Sequence, residues 1–141
     1  MAKGKSIDEL KIGESAELSR TITEEIVNDF ARVTGDTNPV HTDQAYAEKT
    51  IFKGRIAHGV FSLGIFSTIL GNILPGYGTI YLSQEVKFLA PVRIGDTITA
   101  RVEVLELILE KNRAKFKTTC TNQDGKAVVD GTAWAMPPKK E

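Results

Sequence analysis

From Ile56 to Gln84 the chain carries no Asp, Glu, Lys or Arg, and the centre of that run, GVFSLGIFSTILGNIL at residues 59–74, is apolar around nearly the whole circumference of a helix. A helix without a polar face belongs inside a protein or a membrane. A membrane span needs roughly 20 predominantly apolar residues. This run is shorter and is interrupted by Ser62, Gly64, Ser67, Thr68, Gly71 and Asn72, so the helix is expected to be buried by its own chain. At 141 residues the chain has the size of one domain, large enough for a core without metal or disulfide staples. The covering must therefore come from the rest of a single unit spanning residues 1–141.

That covering is readable as strands. Alternating stretches run from Thr79 to Leu89, Thr97 to Leu109, Ala114 to Asn122 and Ala127 to Met136, separated by turn formers that include the hairpin signal Asn122-Gln123-Asp124-Gly125. Four long strands in succession predict an antiparallel meander. Upstream, a short strand covers Ser15 to Ile22, and a helix opens at Thr21 or Thr23. Thr21 and Glu24 have capping-box spacing, Ile26, Val27, Phe30, Ala31 and Val33 form an apolar stripe, and Gly35 stands where a helix-ending glycine belongs. Asp43 is the expected N-cap of a second short helix, and the apolar helix is expected to begin near His58 or Gly59. The fold class is α+β: one long central helix wrapped by an antiparallel sheet of about five strands, which is the hot-dog arrangement. A sheet that wraps one side of its helix leaves an edge strand and an apolar flank open, so a homodimer is expected.

Charge narrows the partners. Eighteen basic residues balance eighteen acidic ones, which leaves no field to hold nucleic acid or an anionic membrane surface. The N-terminal MAKGKSIDELKIGES has no apolar segment of the secretory type, and a soluble cytoplasmic protein is expected. The single cysteine, Cys120, has no basic neighbour and lies in an alternating stretch, where it reads as a small core residue. No cofactor is implied, and His41 and His58 have no His or Cys beside them at metal-ligand spacing.

The chemistry concentrates in Gly35-Asp36-Thr37-Asn38-Pro39-Val40-His41. Turn chemistry accounts for much of it, because Gly35 ends a helix, Asp36 and Asn38 favour turns and Pro39 fixes φ. Gly95-Asp96-Thr97 repeats the first three residues with nothing reactive after them. What distinguishes the first copy is His41, five residues beyond Asp36 across a proline-stiffened turn. That spacing can aim a carboxylate and an imidazole at one water as a general acid-base pair. Ala57-His58-Gly59, at the start of the apolar helix, offers free backbone N–H groups for a developing oxyanion, and Gly59 permits close approach of a carbonyl.

These residues resemble the (R)-specific enoyl-CoA hydratases of the MaoC-like dehydratase family. The similarity runs through FARVTGDTNPVHTDQA (Phe30 to Ala45), GRIAHGVFSLGIFSTIL (Gly54 to Leu70) and GYGTIYLSQEVKFLAPVRIGD (Gly76 to Asp96). It implies Asp36 and His41 as the catalytic pair, Gly59 as backbone donor to a thioester oxygen, and Ser67 as a residue lining the site. The implied substrate is an acyl-CoA, hydrated from trans-2-enoyl-CoA to (3R)-hydroxyacyl-CoA. Leu70 and Trp134 are candidates for the wall of an acyl pocket, Trp134 having a core position as its simpler reading, and Lys53 and Arg55, or Lys87 contributed by the other subunit of a dimer, are candidates for holding CoA. An acyl-CoA thioesterase and an acyl-carrier-protein dehydratase are the alternatives on the same fold.

Overall fold

Alternation of apolar and polar residues builds one five-stranded antiparallel sheet in the computed structural model, which describes residues 2–140. In chain order the elements are β1 (Ser15–Thr21), α1 (Glu24–Thr34), α2 (Pro39–Thr42), α3 (Gln44–Ala47), α4 (Phe61–Asn72), β2 (Ile80–Phe88), β3 (Thr97–Ile108), β4 (Arg113–Thr121) and β5 (Ala127–Met136). The inward set comprises Ile98, Ala100, Val102 and Val104 on β3, Ala114, Phe116 and Cys120 on β4, and Ala133 and Ala135 on β5, all fully buried or nearly so. Ile65, Phe66, Ile69 and Leu70 of α4 join the same core. Burying side chains of this size contributes about 1.5–3 kcal/mol each, so the helix and the sheet's inner face stabilise one another.

Strand order is β1-β3-β4-β5-β2, which corrects the expected meander of four successive strands. β3, β4 and β5 do form a meander, but β2 pairs with β5 and β1 pairs with β3. The connection from β2 to β3 therefore crosses from one edge of the sheet toward the other. It is pinned on the way by Leu89 N–H to Val128 O at 2.9 Å, Ala57 N–H to Val92 O at 2.7 Å and a bridge between Ile56 and Arg93. This crossing brings residues 89–93 beside the segment that leads into α4.

Local signals explain the ends of the elements, with two shifts. Thr23, not Thr21, caps α1, its hydroxyl accepting from Ile26 N–H at 3.2 Å. Thr21 is the last residue of β1 and bonds the Thr97 hydroxyl at 2.8 Å, so the expected pairing of Thr21 with Glu24 is replaced by a cross-strand contact. α4 starts at Phe61, and His58 and Gly59 lie in the preceding turn, where their carbonyls accept from Phe61 and Ser62 N–H. Gly35 ends α1 with φ 81°, and Asp43 caps α3 by accepting from Tyr46 N–H at 3.1 Å. Both follow the sequence expectation.

α4 is covered on one side only. Ser62, Ile65, Phe66, Ile69 and Leu70 are buried, while Gly64, Ser67 and Thr68 face outward. Cys120 sits in the core, and burial pushes its thiol up to about 11, the neighbouring Ser62 hydroxyl pulling the other way. No helix among the described residues is long and apolar enough to cross a membrane.

Candidate active site

The segment after α1 is a sequence of side-chain caps. Asp36 N–H donates to the Thr34 hydroxyl at 3.1 Å, Asp36 Oδ1 accepts from Asn38 N–H at 3.3 Å, and Asn38 Oδ1 accepts from Val40 N–H at 3.2 Å. Asn38 is thereby the N-cap of α2 and Pro39 its first residue, a position suited to a residue with no N–H to satisfy. The single turn of α2 carries His41 as its third residue. Turn chemistry and reactive chemistry are thus layered in the same residues.

His41 is held on three sides. Its Nδ1–H donates to Ile56 O at 2.8 Å, its own carbonyl accepts from Arg55 Nε–H at 2.6 Å, and its ring stacks on His58 with centroids 3.9 Å apart. With the Nδ1 proton committed to a carbonyl, Nε2 is the nitrogen left to exchange a proton. The rest of the Arg55 guanidinium reaches Glu24 Oε1 at 2.8 Å and Asn28 Oδ1 at 2.7 Å. Arg55 is therefore a clasp between α1 and α2, which corrects its expected place at CoA.

His58 is 4 % exposed. Its Nε2–H donates to the main-chain carbonyl of Asp36 at 2.9 Å, its ring centroid lies 4.6 Å from that of the tilted Phe30 ring, and its Nδ1 is buried with no hydrogen-bond partner. An unpaired buried polar atom costs about 1–3 kcal/mol, a penalty that fits a functional site better than an ordinary core. Asp36, His41 and His58 offer ligand-type atoms within 4.8 Å of one another. Sequence spacing pairs Asp36 with His41, and the structure adds His58 to them. The two imidazoles are tilted by only 29°, so their in-plane lone pairs run side by side and do not converge on one ion. The 4.8 Å span suits a bridging water between the carboxylate and an imidazole better.

A cavity of about 390 Å³ opens at His41 and Gly59, within the size range of small-molecule sites. Its apolar walls include Phe52, Ile56, Val60, Phe88 and Val92. A Cβ at Gly59 would stand 2.8 Å from Cδ1 and 2.9 Å from Cε1 of Phe88, so the ring occupies the space that only glycine leaves open. Among the described residues nothing accepts from the Gly59 N–H. Gly59→Ala is expected to fold, because the ring it displaces is half exposed, and to lower kcat/KM at least ~10-fold by moving Phe88 into the cavity. Steady-state kinetics beside a thermal melt checks both halves of that expectation.

Other expected residues lie elsewhere in the single chain. Leu70 is 1 % exposed in the core, and Ser67 is on the outward face of α4. Trp134 alternates with the buried Ala133 and Ala135, so it points to the opposite side of the sheet from α4, where Lys115 Nζ lies 5.8 Å from its ring centroid. It is neither a core aromatic nor a neighbour of the cavity. Lys53 and Lys87 are exposed. The sequence reading missed Phe52, Phe88 and the crossing segment as walls. The uncharged Phe88-Leu89-Ala90-Pro91-Val92 was the available signal, a run that stops alternating before its strand has ended in a turn.

A helix packed on a five-stranded antiparallel sheet, with an imidazole lining an apolar pocket and an exposed carboxylate within 4.8 Å of it, is a hot-dog arrangement. The family model described as a MaoC like domain matches residues 9–127, and the chain belongs to that family. It is 50% identical to an (R)-specific enoyl-CoA hydratase of Rhodospirillum rubrum, over 94% of this chain and 92% of that one. It is 45% identical to a 3-hydroxybutyryl-CoA dehydratase of Methylorubrum extorquens, over 95% of this chain and 85% of that one. Among solved structures, an unliganded R-hydratase from Pseudomonas aeruginosa superposes with a TM-score of 0.92 at 46% identity, covering 97% of this chain and 88% of that one.

Proposed function

We propose that the chain is a hydro-lyase that reversibly hydrates trans-2-enoyl-CoA to (3R)-hydroxyacyl-CoA, with Asp36 and His41 activating one water. The observation that carries the reading is the free Nε2 of His41, fixed by the Nδ1–H bond to Ile56 O, beside the Asp36 carboxylate and the unoccupied Gly59 N–H. The relatives from Rhodospirillum rubrum and Methylorubrum extorquens are named for hydration and for dehydration, which are two directions of one reaction.

In the forward direction the water oxygen bonds to C3 as the C2–C3 double bond opens. One member of the pair takes the water's proton, and a proton reaches C2 on the same face. Negative charge gathers on the thioester oxygen, where the Gly59 N–H and the N-terminal end of α4 meet it. Proton transfer by a positioned pair contributes on the order of 10² to 10⁴-fold, and an oxyanion donor on the order of 10² to 10³-fold. The reaction needs both.

A homodimer is part of the proposal. β2 is an edge strand, and Ile80, Leu82, Phe88 and Leu89 on and just beyond it are exposed, as is Val60 at the pocket. A second copy laid along that edge would cover this apolar strip and the outward face of α4. It would also bring Ser67 out of solvent and toward an acyl chain, the role the family resemblance assigns it. The buried, unpaired Cys120 suits a reducing compartment, and a cytoplasmic location is proposed with it.

The test is incubation with crotonyl-CoA while enoyl absorbance and free thiol are followed together. Loss of absorbance without thiol release is the expected result. Thiol release with the double bond retained would identify a thioesterase. Parallel kinetics with crotonyl-acyl-carrier-protein decides the carrier, and a higher kcat/KM for crotonyl-CoA is expected.

A further inference from the structure

We propose that His58 is a positioning residue for the hydration reaction, one buried ring that fixes both members of the acid-base pair and the backbone donor together. The inference rests on the hydratase reading of the site. Three contacts carry it. His58 Nε2–H holds the Asp36 carbonyl at 2.9 Å, its ring face lies 3.9 Å from that of His41, and its peptide leads directly into Gly59. The three groups used by the reaction thus hang from one imidazole and the residue after it. The Phe30 ring also packs against His58, with centroids 4.6 Å apart and planes tilted by 46°. Of the two single-proton tautomers only the Nε2–H form satisfies the Asp36 carbonyl. That choice leaves Nδ1 bare, which is the one buried side-chain polar atom without a partner among the described residues. A ring kept for packing alone would gain by being Phe, so the retained imidazole points to the Nε2–H bond as its purpose. His58 does not line the cavity and acts through Asp36, His41 and Gly59.

Substitutions separate positioning from packing. His58→Phe keeps an aromatic ring against Phe30 and His41 but loses the donor, and is expected to lower kcat for crotonyl-CoA ~10 to 100-fold with KM changed less than ~3-fold. His58→Gln sets an amide N–H where Nε2 stands and is expected to recover most of kcat, whereas His58→Asn, which imitates Nδ1, is expected to behave like the Phe variant. A Phe variant with wild-type kcat, or a Gln variant no better than Phe or Asn, overturns the proposal. Should a variant fail to fold, imidazole ¹⁵N spectra of the wild-type protein at the assay pH remain decisive. A His58 proton on Nε2 is expected, and one on Nδ1 overturns the proposal. The spectra are readable whether or not the wild-type chain hydrates crotonyl-CoA, so failure of this inference and failure of the functional reading are distinct results.

Discussion

Asp36→Asn and His41→Ala are each expected to lower kcat/KM for crotonyl-CoA hydration by about 10³-fold, within the range a general acid-base group supplies, while the protein stays folded. The sizes follow from what each change removes. Asn at position 36 keeps an Oδ1 acceptor for Asn38 N–H, so the turn survives and only the carboxylate's charge and proton affinity are lost. Ala at position 41 removes the imidazole proposed to exchange protons, and with it the bond to Ile56 O and the stack on His58. That loss costs His41→Ala about 1–2 kcal/mol of stability, which a thermal melt beside the kinetics would register. Asp96 supplies an internal control. It occupies the same place in the repeated Gly-Asp-Thr, where its carboxylate accepts from Arg93 N–H at 2.8 Å and Gln123 Nε2–H at 2.9 Å. Asp96→Asn leaves the hydration rate within ~2-fold of wild type, since a turn carboxylate away from the cavity has no proton to move. Near wild-type activity in Asp36→Asn or His41→Ala would remove that residue from the mechanism.

Gly131→Ala has the largest expected effect on stability. Gly131 lies in β5 between Thr118 of β4 and Val86 of β2. A Cβ there would fall 1.8 Å from Glu85 O and 2.8 Å from Glu85 C, atoms of a backbone that cannot rotate away. The methyl group has to displace β2 from the sheet, and the expected cost is about 3 kcal/mol, the upper end of overpacking penalties. For a chain of this size that is a fall in Tm of roughly 10 °C. Because β2 also carries Phe88 to the cavity, activity falls as well, through a site that is loosened without being chemically altered. An unchanged Tm would mean that β2 meets β5 in a different register.

The apolar helix and its strands were legible because periodicity is local, although the sheet covers only one side of that helix. A run without charge has to be buried wherever the chain takes it, and inward alternation such as Ile98, Ala100, Val102 and Val104 names its own core face. Strand order was not legible, since nothing in Ile80–Phe88 says that its partner is β5 more than forty residues away instead of the next strand along. The same limit explains Thr21, whose capping spacing to Glu24 competed with a hydroxyl contact to Thr97 that only the folded sheet creates. Asp36, His41 and Gly59 were visible through their residue types and spacing. His58 and Arg55 stood out as residues but their partners did not, because they bond main-chain carbonyls of Asp36 and His41, and a carbonyl leaves no mark in a sequence. Trp134 illustrates the reverse error. A large aromatic invites a place in the core, but strand alternation with two buried alanines decides its direction, and Lys115 rests over its outward face.

Asp36, His41 and Gly59 are proposed to act together in adding water to one face of an enoyl thioester. Chiral analysis of the product formed from crotonyl-CoA by the wild-type protein tests it most directly. The expected product is (3R)-hydroxybutyryl-CoA alone. An (S) or racemic product would contradict it, even if hydration were fast.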